Sequence, residues 1–126
     1  MVQKEFTYKG RSVEDLKKMS LAEFSMLAKS DARRKIRRMT DADRKFTKKV
    51  ENSKKPVKTH NRDMIILPVF VGKTIAIHTG KEYQQVLITP EMIGHWVGEY
   101  AMTRKKVGHN APGVGATRSS SSMSVK

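Results

Sequence analysis

Between Thr79 and Thr103 the chain reads TGKEYQQVLITPEMIGHWVGEYAMT, and this stretch constrains the fold more than any other. Thr79-Gly80 predicts a turn, because glycine supplies a backbone angle that other residues resist. Tyr83 to Ile88 alternates and is rich in β-branched and aromatic residues, so it predicts a strand. Thr89 is a good N-cap, Pro90 suits the first helical position, and Glu91 sits favourably at the positive helix end. Met92, Ile93, Trp96 and Val97 then fall at helical spacing and predict one apolar face. No nucleophile, base or metal cluster converges here. The expectation is a strand–turn–helix unit with a basic tail behind it.

The charge says what such a unit would meet. The chain carries 26 Lys and Arg against 12 Asp and Glu, a formal net charge of +14 on 126 residues. That excess points to a polyanion, either nucleic acid or an anionic membrane surface. The membrane reading fails: no run approaches the roughly 18 apolar residues of a spanning helix, and the basic helices lack a broad Trp/Phe/Leu face. The start MVQKEFTYKG is polar, so no secretory signal is expected. The absence of cysteine removes disulfides, thiolate metal sites and a Cys nucleophile, which is compatible with a cytoplasmic protein.

The charge is concentrated. Lys29 to Lys58 holds 13 of the 26 basic residues and only four acids, Asp31, Asp41, Asp43 and Glu51. At helical spacing Arg33, Arg34, Lys35, Arg37, Arg38, Arg44, Lys45, Lys48 and Lys49 repel one another. Against phosphate, the same charges release counterions and gain affinity, and arginine's planar fork suits bidentate contact. A solvated helix face is the ordinary reading of a charge run; this density favours phosphate.

Three parts follow along the chain. Residues 1–55 are expected to be a helical basic extension. In it Ser12 and Ser20 cap the first two helices, with Asp15 and Glu23 at the capping-box positions. Leu21, Phe24, Met26 and Leu27 lie mostly on one side; Ser30 or Asp31 begins a third helix, and Asp41–Lys54 makes a fourth, with Phe46 and Val50 four apart. Residues 56–104 are the expected α/β core, with strands near Val57–His60, Thr74–His78 and Tyr83–Ile88 and a short helix or buried connection around Ile65–Val71. Residues 105–126 lack periodicity and are expected to be a flexible basic tail, disordered until bound. The fold class is α+β: a small three-stranded, mainly antiparallel sheet with a packed helix. A core of about fifty residues lies near the lower limit for independent folding, so burial should be modest and full order should come on a partner.

Other motifs dissolve on inspection. Gly72-Lys73-Thr74 resembles the end of a phosphate-binding loop, but the glycine needed five positions earlier is Leu67. Gly113-Val114-Gly115 lacks the strand, helix and third glycine of a dinucleotide fingerprint. His60, His78, His95 and His109 contain no i, i+3 or i, i+4 pair, so no metal is expected. Glu91 and Glu99 face no nucleophile. Met92, Trp96 and Tyr100 form a stripe that reads as core, with Trp96 or Tyr100 as a candidate protein anchor.

A family resemblance adds to these readings. Lys58-Thr59-His60-Asn61-Arg62, Ile66-Leu67-Pro68, Val71-Gly72 and Thr74-Ile75-Ala76-Ile77-His78 match in order, followed by Thr79-Gly80-Lys81 and Ile88. Ile93-Gly94, Val97-Gly98-Glu99-Tyr100, Thr103-Arg104 and Gly108-His109 continue the match. Over about Pro56 to His109 the chain resembles the universal small-subunit ribosomal protein family number nineteen, historically numbered fifteen in eukaryotes. Val97 departs from the Leu or Phe more usual there but keeps an apolar contact. The helices before Lys48 and the tail Pro112–Thr117 resemble the archaeal and eukaryotic branch.

The resemblance implies a structural constituent of the small ribosomal subunit in the cytoplasm, bound to rRNA of the subunit head (the 3′ major domain) and contributing near the decoding site. It implies the universal small-subunit protein numbered thirteen as neighbour, with tRNA and, through an intersubunit bridge, the large subunit as further partners. Charge and resemblance together give the candidate RNA-binding residues Arg33, Arg34, Lys35, Arg37, Arg38, Arg44, Lys45, Lys54, Lys55, Lys58, His60, Arg62, Lys73, His78, Lys81, Arg104, Lys105, Lys106 and His109. Gly113, Gly115, Thr117 and Arg118 are the candidate tRNA and decoding-site tail. No enzyme activity, cofactor, small-molecule substrate or membrane partner is expected. The alternative is a basic DNA-binding or nucleoid-type protein, suggested by charge and by the helix pair Asp31–Arg38 and Asp41–Lys54. A recognition helix needs base-reading side chains on its exposed face, whereas the Asp41 helix shows a general Lys/Arg coat better suited to phosphates than to bases.

Overall fold

Among the described residues there are four short helices, and three begin at a polar side-chain cap; the third in chain order follows Lys29, whose side chain caps nothing. The computed structural model describes residues 4–108 and residue 113. In it α1 runs Val13–Lys18, α2 Leu21–Leu27, α3 Ser30–Arg37 and α4 Asp41–Asn52. Ser12 accepts the Asp15 amide, and Ser20 and Thr40 form reciprocal capping boxes with Glu23 and Asp43. Each box satisfies amides that a first helical turn leaves unpaired. Ahead of α1 the chain is not helical: β1 (Thr7–Tyr8) and β2 (Arg11–Ser12) form a hairpin. Lys9 and Gly10 both take positive φ at its tip, the geometry whose twist suits a two-residue hairpin turn.

The sheet holds β3 (Val57–Thr59), β4 (Thr74–His78) and β5 (Tyr83–Leu87) in that order. β4 and β5 are antiparallel, Ile75 opposite Val86 and His78 opposite Tyr83. β3 lies parallel to β4, Val57 opposite Ile75. The sheet is therefore mixed where a mainly antiparallel one was expected. Residues 60–73 are long enough to carry the chain back across before β4 begins, as a parallel neighbour requires, and they include a 3-10 turn at Pro68–Phe70.

One face of the sheet is buried. Val57, Ile75 and Ile77 enter a core shared with Ile66, Leu67, Phe70, Ile88, Ile93 and Val97, and the helices contribute Leu16, Phe24, Ile36 and Val50 to the same cluster. Phe46 meets Phe70 edge-on at 6.2 Å. The helical region thus completes the core, burying more than its sparse apolar content suggested. A buried carboxylate joins the two: Asp43 closes the α4 cap and accepts Asn61 Nδ2 at 2.5 Å.

The helix expected after β5 does not form. Thr89–Ala101 is a strap with two 3-10 turns, Pro90–Met92 and Val97–Tyr100, and Thr89 makes no side-chain cap. Its backbone groups are claimed by the segment 62–66. Gly94 donates to the Ile66 carbonyl at 3.0 Å, Val97 to Met64 at 2.8 Å and Gly98 to Arg62 at 3.0 Å, while Ile66 donates back to His95 at 2.8 Å. Gly94 has φ near +82°, and a Cβ there would come within 2.9 Å of the Tyr8 hydroxyl. Ile93 and Val97 remain buried, whereas Met92, Trp96 and Tyr100 are half-buried.

Candidate nucleic-acid interface

The basic segment presents its charges in two ways. Ser30, Arg33, Arg34, Arg37 and Arg38 line one cleft of about 430 Å³ along α3. Arg34, Arg37 and Arg38 are exposed there. Their spacing follows from the helix: positions three and four apart stand on one side, so Ser30, Arg33, Arg34, Arg37 and Arg38 share a wall. Among the described residues none of Arg34, Arg37 and Arg38 forms an ion pair. Arg37 does donate to Met26 Sδ at 3.6 Å. Three guanidinium groups around a hydroxyl-lined cleft can hold phosphate oxygens by charge-assisted, forked hydrogen bonds.

Other candidate cations are tied into the protein. Arg33 donates from Nε to the Ser25 carbonyl at 3.1 Å and from Nη2 to those of Met26 and Ala28 at 3.1 and 3.3 Å. It closes the end of α2. Arg62 donates to the carbonyls of His78 at 2.9 Å, Gly98 at 2.7 Å and Ala101. It clamps the end of β4 to the strap. Lys73 Nζ reaches the carbonyls of Glu51 at 3.3 Å and Ser53 at 3.2 Å, where α4 ends and its dipole is negative. Lys35 Nζ lies 3.6 Å from the buried carboxylate of Asp43. Arg44 pairs loosely with Asp41 at 3.9 Å and Lys105 with Glu82 at 3.6 Å, both in solvent, where such pairs hold little energy. Lys45, Lys54, Lys55, Lys81, Arg104 and Lys106 are exposed. His109, Gly115, Thr117 and Arg118 lie outside the described residues; Gly113 is described and exposed.

A second group gathers on the sheet. Cross-strand partners share a face and alternate residues return to it. The register therefore puts Lys58, Ala76 and Gln85 on the face opposite the core, with His60, His78 and Tyr83 beside them. Tyr83 and His60 are exposed and His78 is half-buried. Lys58 Nζ stands 5.0 Å from the centre of the Tyr83 ring. The spacing of the histidines along the chain gave no sign that His60 and His78 meet. Neither Ser30 nor Tyr83 stood among the candidate site residues. The signal that could have found Tyr83 is the register of β3, β4 and β5, which puts three rings at one end of the sheet.

A model of the family described as ribosomal protein S19 matches residues 29–109. The chain is 51% identical over 124 residues to the small ribosomal subunit protein uS19 of Thermoplasma acidophilum, covering 98% of this chain and 82% of that protein. It is 48% identical to the protein of the same name from Thermoplasma volcanium and 49% identical to that from Picrophilus torridus, with the same coverage in each case.

Proposed function

This chain belongs to the ribosomal protein S19 family, and from that membership we infer that it binds the rRNA of the subunit head through the cleft along α3. It is a structural constituent of the small ribosomal subunit, with its place in the cytoplasmic ribosome, and not an enzyme. The observation that carries the rRNA reading is the cleft itself: Arg34, Arg37 and Arg38 are exposed beside Ser30, with no carboxylate among the described residues ion-paired to them. Lys45, Lys54, Lys55, Lys58, Lys81, Arg104 and Lys106 add exposed charge along the chain. Arg33, Arg62 and Lys73 serve the interface indirectly, holding the backbone on which the exposed groups stand.

The resemblance supports the finer placement. The rRNA partner is the 3′ major domain, the neighbouring protein is the universal small-subunit protein numbered thirteen, and the tail with Gly113, Gly115, Thr117 and Arg118 reaches toward tRNA at the decoding site. The large subunit is approached through an intersubunit bridge.

Binding of the full chain to a 3′-major-domain rRNA transcript, measured across salt concentrations beside duplex DNA of equal length, tests the reading. Replacing Arg34, Arg37 and Arg38 together by Gln should flatten the log–log salt slope by about 2 to 3 units, since each phosphate contact contributes about 0.7 to 0.9. An unchanged slope assigns α3 to solvent, and DNA bound as tightly as rRNA favours the DNA-binding alternative. Ending the chain at Lys106 should leave rRNA binding intact and alter tRNA binding by assembled subunits; an effect on rRNA alone removes the tail assignment.

A further inference from the structure

At one end of the open sheet face, three rings from three successive segments come together. The His60 and His78 ring centres are 4.3 Å apart with planes inclined by 35°. Tyr83 meets them nearly at right angles, at 5.4 and 4.9 Å, and its hydroxyl lies 2.6 Å from His60 Nε2. The cluster is anchored from below. Gly80 donates its amide to His78 Nδ1 at 3.0 Å, and the Arg62 clamp holds the His78 carbonyl. The rings are therefore in place before any ligand arrives, which removes an ordering cost from binding. On the same face Leu87, opposite Thr74, is exposed, while Ala76 between it and the rings is buried.

This chemistry differs from that of the α3 cleft. The rings offer π-faces and edges, and Lys58 is the cation over Tyr83. Such a surface adds little for phosphates but suits a flat, unstacked base, which aromatic side chains on a sheet hold without regard to its identity. Lys58 Nζ lies over the Tyr83 ring, and its flexible four-carbon stem lets the ammonium swing off that face to meet a phosphate. We propose that His60, His78 and Tyr83 form a stacking site for one unpaired nucleobase of the bound RNA, with Lys58 on its phosphate. The proposal rests on the rRNA-binding reading and adds to it a contact that is not electrostatic.

The two kinds of contact separate in a salt titration of the full chain on the 3′-major-domain transcript. Tyr83→Leu should weaken binding about 5- to 150-fold, the range for losing one stacked base, while leaving the salt slope unchanged. Tyr83→Phe should restore most of the affinity, because the ring matters and the hydroxyl is secondary. Lys58→Gln should instead flatten the slope by about 0.7 to 0.9. Ultraviolet crosslinking of the wild-type complex should map to the peptide that holds Tyr83. Thermal melts of each variant establish that the exposed positions leave the fold intact; if Tyr83→Leu unfolds, His60→Gln carries the same test.

Affinity unchanged in Tyr83→Leu, with no crosslink at that peptide, overturns the stacking site and leaves the rRNA-binding reading standing. A loss that comes with a flattened slope overturns it too, because Tyr83 would then act only by placing Lys58. Normal rRNA binding combined with failure to join a neighbouring head protein gives this face to a protein partner and likewise overturns the proposal. A wild-type chain that does not bind the transcript at all is a failure of the earlier reading, seen before any variant is made.

Discussion

The helix α4 and the strap Thr89–Ala101 carry the same local marks and end as different structures. Each follows a threonine, has an acid in its first turn and repeats apolar residues four apart: Phe46 and Val50 in one, Met92, Trp96 and Tyr100 in the other. In α4 the marks are fulfilled. Thr40 and Asp43 exchange cap bonds, and twelve residues form an unbroken helix. In the strap Thr89 caps nothing, and Gly94, Val97 and Gly98 donate to a neighbouring segment. Two glycines within five residues lower helix propensity by about 1 kcal/mol each, and residues 62–66 offer acceptors that satisfy the same amides. Where a local preference is weakened and a long-range partner is at hand, the partner decides.

The sharpest way to break this comparison is to remove packing from the strap. Ile93 is almost fully buried in the core that α4 also covers. Ile93→Ala should cost about 2 to 5 kcal/mol, while Lys48→Ala on the exposed side of α4 should stay within about 0.5 kcal/mol. Denaturant unfolding of both variants measures the difference. A loss at Ile93 no larger than that at Lys48 means the strap is a surface loop, and the contrast collapses.

Arg62 sharpens the comparison next, because it fastens the strap to β4. Arg62→Met keeps much of the stem and removes the donors to His78, Gly98 and Ala101. Leaving a buried acceptor unpaired costs about 1 to 3 kcal/mol, so a fall in stability of that order is expected. Arg62→Lys should restore only part of it, because one ammonium cannot reproduce a forked geometry. Below the melting transition, the salt slope for rRNA should match that of the wild type. A flatter slope would show that Arg62 reaches phosphate after all.

The sequence was legible where the forces are local. Ser12 and Ser20 stand at the caps expected of them, and the β4–β5 hairpin follows from Thr79-Gly80 and the alternation after it, since neighbours in sequence supply the bonds; the Thr40 cap is just as local and was missed. The parallel pairing of β3, the strap and the ring cluster depend on residues brought from a distance, and no spacing along the chain records them. The candidate site divides the same way. Arg34, Arg37 and Arg38 on one side of α3 could be read from helical periodicity. That Arg33, Arg62 and Lys73 end on carbonyls could not, because composition counts charges without saying how far their stems reach. Lys9-Gly10 was a missed local signal: a glycine after a polar residue between Tyr8 and Arg11 is hairpin chemistry.

The smallest expected effect concerns acid and separates the caps of the helical region from the strap. Glu23 is exposed, and its carboxyl is held below its ordinary range first by the Ser20 backbone amide, then by the Ser20 hydroxyl, with Arg11 adding to the same direction. A carboxylate whose pKa is lower in the folded chain stabilises it above the unfolded value and loses that contribution as pH falls through the folded one. The α2 cap should therefore weaken in acid, from the ordinary carboxylate range downward, and be indifferent to pH above it. Glutamine also serves at this capping position but cannot be protonated in this range. The unfolding midpoint of Glu23→Gln, followed from neutral pH into acid, should fall less steeply than that of the wild type, with the two curves converging in shape at higher pH. Parallel curves throughout would show that the Ser20–Glu23 box stores no pH-dependent stability, and that acid acts on this chain through other carboxylates.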